Sequence, residues 1–205
     1  GLPVELADDV EELPFAVAAA LRLGDQAESH PWRYLRGIAA AAAAAGCALH
    51  ERTRAVGVGQ GDPCLVETAA GHAVRARHVV VATHLPFLDR GLYFARTHPE
   101  RSYALLAALR GPVPQGMYLS DESPAHSLRA VPTAAGERLL VGGESHKAGQ
   151  GDPRERYAAL EAWARTRFEV EAIEHRWATH DHLPHDLLPF VGPLWPFDER
   201  LLAVT

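Results

Sequence analysis

The sequence predicts an α+β fold, in which an antiparallel sheet with helices is joined by a shorter piece of covered α/β sheet. Three observations predict it. Strand-like segments at 116–120, 126–131 and 138–142 are separated by Asp-Glu-Ser-Pro and Ala-Ala-Gly-Glu turns, the spacing of an antiparallel meander. Val79-Val80-Val81-Ala82 is apolar at every position, which predicts a strand buried on both faces. Asp152-Pro153 opens an amphipathic helix with Tyr157, Leu160, Trp163, Ala164 and Phe168 on one stripe.

The other elements follow in chain order. Residues 12–23 read as an irregular entry and a short apolar helix stopped at Gly24. His30-Pro31 starts a second helix that Gly46 ends, since proline suits a first helical turn and glycine the residue past the last. Its run Ala39 to Ala45 has high helix propensity and small side chains, which predicts a tightly packed core helix. Cys47 to Val58 alternates loosely like a strand, Gly57 to Gly61 reads as a hairpin loop, and Cys64 to Thr68 as a second strand. Ala70-Gly71-His72 is a turn before the strand 73–82. Residues 101–109 fit helical spacing through Leu105, Leu106 and Leu109, and equally fit alternation through Tyr103, Leu105, Ala107 and Leu109. Glu169 to Trp177 predicts a returning strand, and Pro184, Pro189, Pro193 and Pro196 a stiff loop region. Leu201 to Thr205 reads as a buried strand.

Composition bounds the function. The 205 residues are 47% hydrophobic and 22% charged, enough for one packed core or two small lobes, and this excludes disordered and collagen-like classes. With 26 acidic residues against 20 basic ones the net charge is -6, which argues against binding nucleic acid or an anionic membrane. The longest small-apolar run, Gly37 to Leu49, is too short to span a bilayer. Two cysteines, Cys47 and Cys64, make no disulfide framework and favour a reducing, cytoplasmic location. The single methionine is Met117 while the chain opens Gly-Leu-Pro and closes in a strand, so an internal portion of a larger protein is expected.

Several residue groups carry chemistry on paper. His175, His180, Asp181, His182, His185 and Asp186 have the residue types of a metal site, but Pro184 interrupts any helical ligand pair and no distant Cys or His motif completes the set. Polar loop lining is the default reading there. No G-x-S-x-G elbow is present, and Ser120, Ser123, Ser127 and Ser145 sit among predicted turns. Neither cysteine has basic neighbours apart from His50 near Cys47, so neither is read as a nucleophile. Gly57 to Gly61 and Gly142-Gly143 lack a following helix and so cannot cradle a phosphate at a helix N-terminus.

A more specific pattern is the ordered set H-V-V-V-A-T-H (78–84), S-Y-A-L (102–105), G-M-Y-L-S (116–120), S-L-R (127–129), L-L-V-G-G-E-S-H (139–146), R-W-A-T-H-D (176–181) and D-L-L-P-F-V-G (186–192). In this order the segments resemble FAD-dependent oxidoreductases of the D-amino-acid-oxidase type, the group of glycine and sarcosine oxidases and of bacterial members with a C-terminal Rieske domain. The resemblance covers roughly residues 10–205. It implies an antiparallel-sheet substrate domain and an incomplete α/β, Rossmann-like FAD-binding domain. Residues 1–30 and 91–183 would belong to the first, and 31–90 and 184–205 to the second. The family's G-x-G-x-x-G turn, which places pyrophosphate on a helix N-terminus, does not occur in the 205 residues. The chain alone is therefore expected to hold FAD weakly and to be inactive.

The resemblance also implies site residues. Val56 lies where the family's backbone reads the adenine edge, and Ala82 and Thr83 where small residues bring backbone close to FAD. His84 stands where a glycine is common. Gly192 and Pro193 match a turn beneath the flavin. Arg176 looks like the arginine that holds a substrate carboxylate, although Trp177 replaces a proline there; a structural salt bridge is the alternative. Arg129 and His126 face either the substrate pocket or solvent, since alternation does not say which face is inward. The implied chemistry is hydride transfer from the carbon beside a neutral amine to FAD, with no catalytic metal. The implied partners are a small amine or amino acid and a redox acceptor such as a Rieske domain. Two rivals remain: a metal-dependent hydrolase built on His175 to Asp186, and a non-catalytic binding module.

Overall fold

A computed structural model describes residues 2–88, 91–194 and 199–205. The chain divides into two compact units, one made of the segment up to residue 29 with 100–180, the other of 30–99 with 181–205. The fold is α+β, with thirteen strands and three helices among the described residues.

In the first unit, β1 (Val4–Ala7) and β2 (Ala20–Leu23) form an antiparallel ribbon. Residues 12–23 thus contain no helix; the apolar end of that segment pairs as β2 instead. Leu6 stands opposite Leu21, so cross-strand pairing overrides the helical reading. The main sheet comprises β7 (Thr97–Leu109), β8 (Met117–Leu119), β9 (Ser127–Thr133), β10 (Gly136–Lys147) and β11 (Val170–Pro184), in the order β11-β7-β10-β9-β8. β8, β9 and β10 form the antiparallel meander that the turn spacing predicts, and β7 pairs antiparallel with the far side of β10. Residues 101–109 resolve as strand: Tyr103, Leu105 and Ala107 are buried at period two.

α3 (Pro153–Arg167) covers one face of this sheet. Asp152 caps it by accepting from the Arg154 N–H at 2.8 Å, and Arg165 and Arg167 occupy the last turn, where a cation suits the helix dipole. Leu160 and Ala164 enter a core with Tyr103, Leu105, Ala107, Leu128, Leu139, Val141 and Phe168. Phe168 lies just past the helix, in extended backbone.

In the second unit, α1 (Pro31–Ala44) begins with His30, whose Nδ1 accepts from the Arg33 N–H. It ends at Gly46 (φ +90°), where the Gly46 and Cys47 N–H groups return to the Ala43 and Ala42 carbonyls. The alanine run predicts a core helix, yet no residue of α1 is buried, and Trp32 is 65% exposed. Propensity made the helix; burial needs an apposed layer, and the described residues place none over its apolar side chains. β3 (Ala55–Gly59), β4 (Cys64–Thr68) and β5 (Ala73–Ala76) form an antiparallel sheet, so Gly57 and Gly59 belong to a strand rather than to the hairpin loop, and residues 47–54 are not strand.

β6 (Val79–Val81) pairs parallel with β13 (Leu201–Val204), which pairs antiparallel with β12 (Val191–Pro193). The proline-rich segment therefore holds a strand; Pro196 lies outside the described residues. Val81, Leu201, Ala203 and Leu194 share a core with Val58 and with Tyr93 of the short helix α2 (Tyr93–Arg96). Among the described residues only one face of β6 is covered, for Val80 is 54% exposed beside a buried Val81.

The α3 core sets the stability of the first unit. Leu160→Ala is expected to cost about 2–5 kcal/mol, whereas Trp32→Ala on the open face of α1 should change stability by less than about 0.5 kcal/mol. Urea unfolding followed by circular dichroism measures both.

Candidate functional site

Because strand side chains alternate, the face of the main sheet opposite α3 is built from the neighbours of the core residues. Ser102 and Ala104 flank Tyr103, Leu140 and Gly142 flank Val141, and Ser127 precedes Leu128. With Leu119, Ala125, Ser145, Trp177 and Thr179 they line a cavity of about 350 Å³. This is within the size range of small-molecule sites. Gly142 keeps its floor open, since a Cβ there would meet Ser127 Oγ at 2.6 Å.

An irregularity in β10 completes the lining. The register with β7 shifts between Gly143 and His146, and Glu144 within that bulge is left-handed (φ +55°). Without the bulge, Ser145 would follow Leu139, Val141 and Gly143 onto the α3 side. With it, Ser145 Oγ lies 2.9 Å from Ser102 Oγ among the cavity residues, and Glu144 turns inward. There its buried carboxylate receives Arg156 at 3.3 Å and lies 3.5 Å from His126 Nε2. The turn reading of Ser127 and Ser145 is thus corrected: both stand in strands.

His126 is 6% exposed and faces neither the cavity nor solvent. Its Nδ1 lies 3.2 Å from Glu122, and its ring stacks on Trp163 at 4.3 Å, with the Arg167 guanidinium 4.3 Å from the same indole. Its Nε2 is within ion-pair range of Glu144 but without hydrogen-bond geometry. The position before β9, where its N–H donates to Ser120 Oγ, turns the ring toward α3.

Arg176 also lies toward α3. Its guanidinium donates to Glu161 Oε2 at 2.6 Å, while the next residue, Trp177, lines the cavity. The Arg176 hydrogen bond, aided by Arg165, lowers the Glu161 pKa against the opposing effect of burial. Arg129 shares the open face with Ser127 but does not line the cavity; it reaches the Ser29 carbonyl at 3.4 Å and Glu28 at 3.9 Å.

The other candidates lie in the second unit. Val56 sits at a shift in the β3–β4 register: Ala55 faces Thr68 and Gly57 faces Glu67, so Val56 is the extra residue, with its side chain half exposed. Ala82, Thr83 and His84 follow the carboxyl end of β6 and are exposed. His84 is left-handed (φ +68°), its Nε2 lies 3.9 Å from Asp181, and its ring meets that of His182 edge-on at 5.4 Å. Gly192 (φ +153°) faces Ala203 in β12, with nothing within 4 Å of where a Cβ would stand, and Pro193 faces Leu202. The structure brings Ala82, Thr83 and His84 together at one strand end, with Gly192 and Pro193 in the same three-stranded sheet and Val56 in a separate one. Among the described residues no three His, Cys, Asp or Glu side chains group to hold a metal ion, so the His175 to Asp186 cluster does not form one. Among the described residues no helix is long and apolar enough to cross a membrane.

Ser102, Trp177 and Thr179 were not legible as site residues. Their signal is parity alone: Ser102 precedes the core residue Tyr103 and Trp177 follows Arg176, which is held by α3, but which face stays open is decided by α3, far away in sequence.

Because the folded-state pKa of Glu161 is lowered, its stabilising contribution is present above the unfolded value of 4.5 and is lost as pH falls through the lowered folded value. Glu161→Gln should therefore flatten the acid side of the stability profile below about pH 4.5; thermal melting from acid to neutral pH checks this.

The FAD dependent oxidoreductase family, DAO, matches residues 2–205. The Bacillus subtilis (strain 168) protein YhfW, named for a Rieske 2Fe-2S iron-sulfur protein, is 33% identical over 202 residues, 97% of this chain and 40% of that protein. The chain thus spans under half the length of this curated relative. Glycine oxidase from Geobacillus kaustophilus superposes with a TM-score of 0.79 at 21% identity, over 100% of this chain and 57% of that one. L-amino acid deaminase from Proteus vulgaris does so with a TM-score of 0.65 at 18% identity, over 100% and 55%. With its match running from residue 2 to residue 205, the chain belongs to the DAO family of FAD-dependent oxidoreductases.

Proposed function

We propose that the chain is the greater part of a substrate unit and a portion of an FAD-binding unit in an enzyme that oxidises an amine or amino acid by hydride transfer to FAD. The observation that carries this reading is the hydroxyl-lined cavity on the open face of the main sheet, in a chain matching the family from residue 2 to 205. The first unit would bind and orient the substrate there, with Trp177 and Leu119 supplying apolar surface that excludes water.

The residues of the second unit fit the cofactor. Ligands of parallel sheets lie beyond the carboxyl ends of the strands, and β6 delivers the small, exposed Ala82 and Thr83 at such an end. The extra residue Val56 leaves backbone outside the regular ladder, as reading a base edge requires. Gly192, open on its Cβ side, permits close approach. When bound, FAD supplies the hydride acceptor. Arg176 is committed to Glu161, so Arg129 is the guanidinium on the cavity's face of the sheet that a carboxylate would have to draw from Glu28.

The name of YhfW supports an iron–sulfur electron acceptor for the whole protein. A cytoplasmic location is part of the same proposal, on the two free cysteines.

Full-length protein should carry FAD whose absorbance bleaches when an amine or amino acid is added without oxygen, and recovers with acceptor. Failure to bind flavin at all would overturn the reading. The 205-residue chain on its own should purify colourless. Ala82→Leu in the full protein is expected to weaken flavin retention by about tenfold or more, at nearly unchanged flavin-free stability, since the residue is exposed; the flavin-to-protein ratio after gel filtration reads it.

A further inference from the structure

We propose that the cavity on the open face of the sheet receives an uncharged end of the amine substrate, alkyl or hydroxyl-bearing, and rejects an ionised one. This rests on the oxidoreductase reading above. Ser102, Ser127, Ser145 and Thr179 place hydroxyl groups in the lining, and Trp177 adds an indole. None of the described lining residues carries charge at neutral pH.

Hydroxyls both donate and accept, so they satisfy an alcohol or amide without a counter-ion. The 2.9 Å contact between Ser102 and Ser145 uses one hydroxyl proton and leaves the other free to donate. A carboxylate or a second ammonium would lose its hydration with no opposite charge to compensate it. The cation on the same strand as Ser127 offers no relief, because Arg129 lies 3.9 Å from Glu28 and 3.4 Å from the Ser29 carbonyl.

The test uses four amines with one carbon skeleton: 1-aminobutane, 4-amino-1-butanol, 4-aminobutanoate and 1,4-diaminobutane. Each is titrated into the full-length protein, and the fluorescence change that disappears in Trp177→Phe reports occupancy. The two neutral-ended amines are expected to bind at least about tenfold tighter than either ionised one. Thr179→Val should weaken 4-amino-1-butanol and leave 1-aminobutane unchanged. Gly142→Ala, which drives a methyl group onto Ser127, should weaken both. Equal or tighter binding of an ionised analogue, or no Trp177-dependent response to any amine, overturns the proposal. Flavin that is bound and reduced chiefly by an ionised analogue would overturn the cavity assignment and keep the enzyme reading. Neutral-end binding in a protein that holds no flavin would do the reverse.

Discussion

A β-sheet has two faces, and in this chain one helix takes one of them. Leu160 and Ala164 of α3 seal Tyr103, Leu105, Ala107, Leu128, Leu139 and Val141 from water, and the alternate residues of the same strands are thereby assigned to the other side. The cavity is a consequence of that packing. Its lining mixes small and hydroxylated residues with the apolar Leu119, Leu140 and Trp177, as an unsealed face tolerates, and they need no core of their own. The same two-sidedness separates Arg176 from Trp177: adjacent in sequence, one is held by Glu161 of α3 and the other lines the cavity. A guanidinium suited by chemistry to a carboxylate is thus spent on a structural pair.

The bulge at Glu144 shows how a polar group is kept inside such a structure. Left-handed backbone at a residue other than glycine is sparsely populated and persists only where its surroundings fix it. Here the buried carboxylate is met by Arg156, and His126 lies between Glu144 and Glu122 while stacking on Trp163. An uncompensated carboxylate at that depth would be costly, so the ion pairs and the backbone conformation support each other. Breaking the pair leaves the bulge without its reason, and Ser145 would lose its place beside Ser102.

The elements that depend on local pattern were legible in the sequence. The meander, α1 and α3 with their caps, and β13 follow from turn residues, Pro31, Asp152-Pro153 and unbroken apolar runs. The family too was legible, because ordered motifs need no geometry to be compared. What was not legible depended on partners distant in the chain. Leu21 pairs with Leu6 rather than forming a helix, α1 lies exposed although its alanines suit a core, and Val80 is open although its run suits two covered faces. The cavity was hidden for the same reason: period two tells which residues share a face, never which face a helix will choose. Arg176, Arg129 and His126 were chosen for their chemistry, and the structure puts two of them against α3.

Three irregular points of the fold coincide with candidate sites, in both units. β3 carries an extra residue at Val56, β10 shifts register at Glu144, and the chain leaving β6 turns left-handed at His84. A regular ladder consumes its own backbone hydrogen bonds and repeats its side chains every second position, so it offers a ligand little that is distinctive. A bulge releases one residue from that repeat and re-aims the next. At Glu144 the result is visible as a serine carried across to the cavity. At Val56 the same device takes one residue out of the β3–β4 ladder, at a place where the family resemblance would put the cofactor. The bulge in β10 thus serves both faces at once, placing Glu144 on the α3 side and Ser145 beside the cavity.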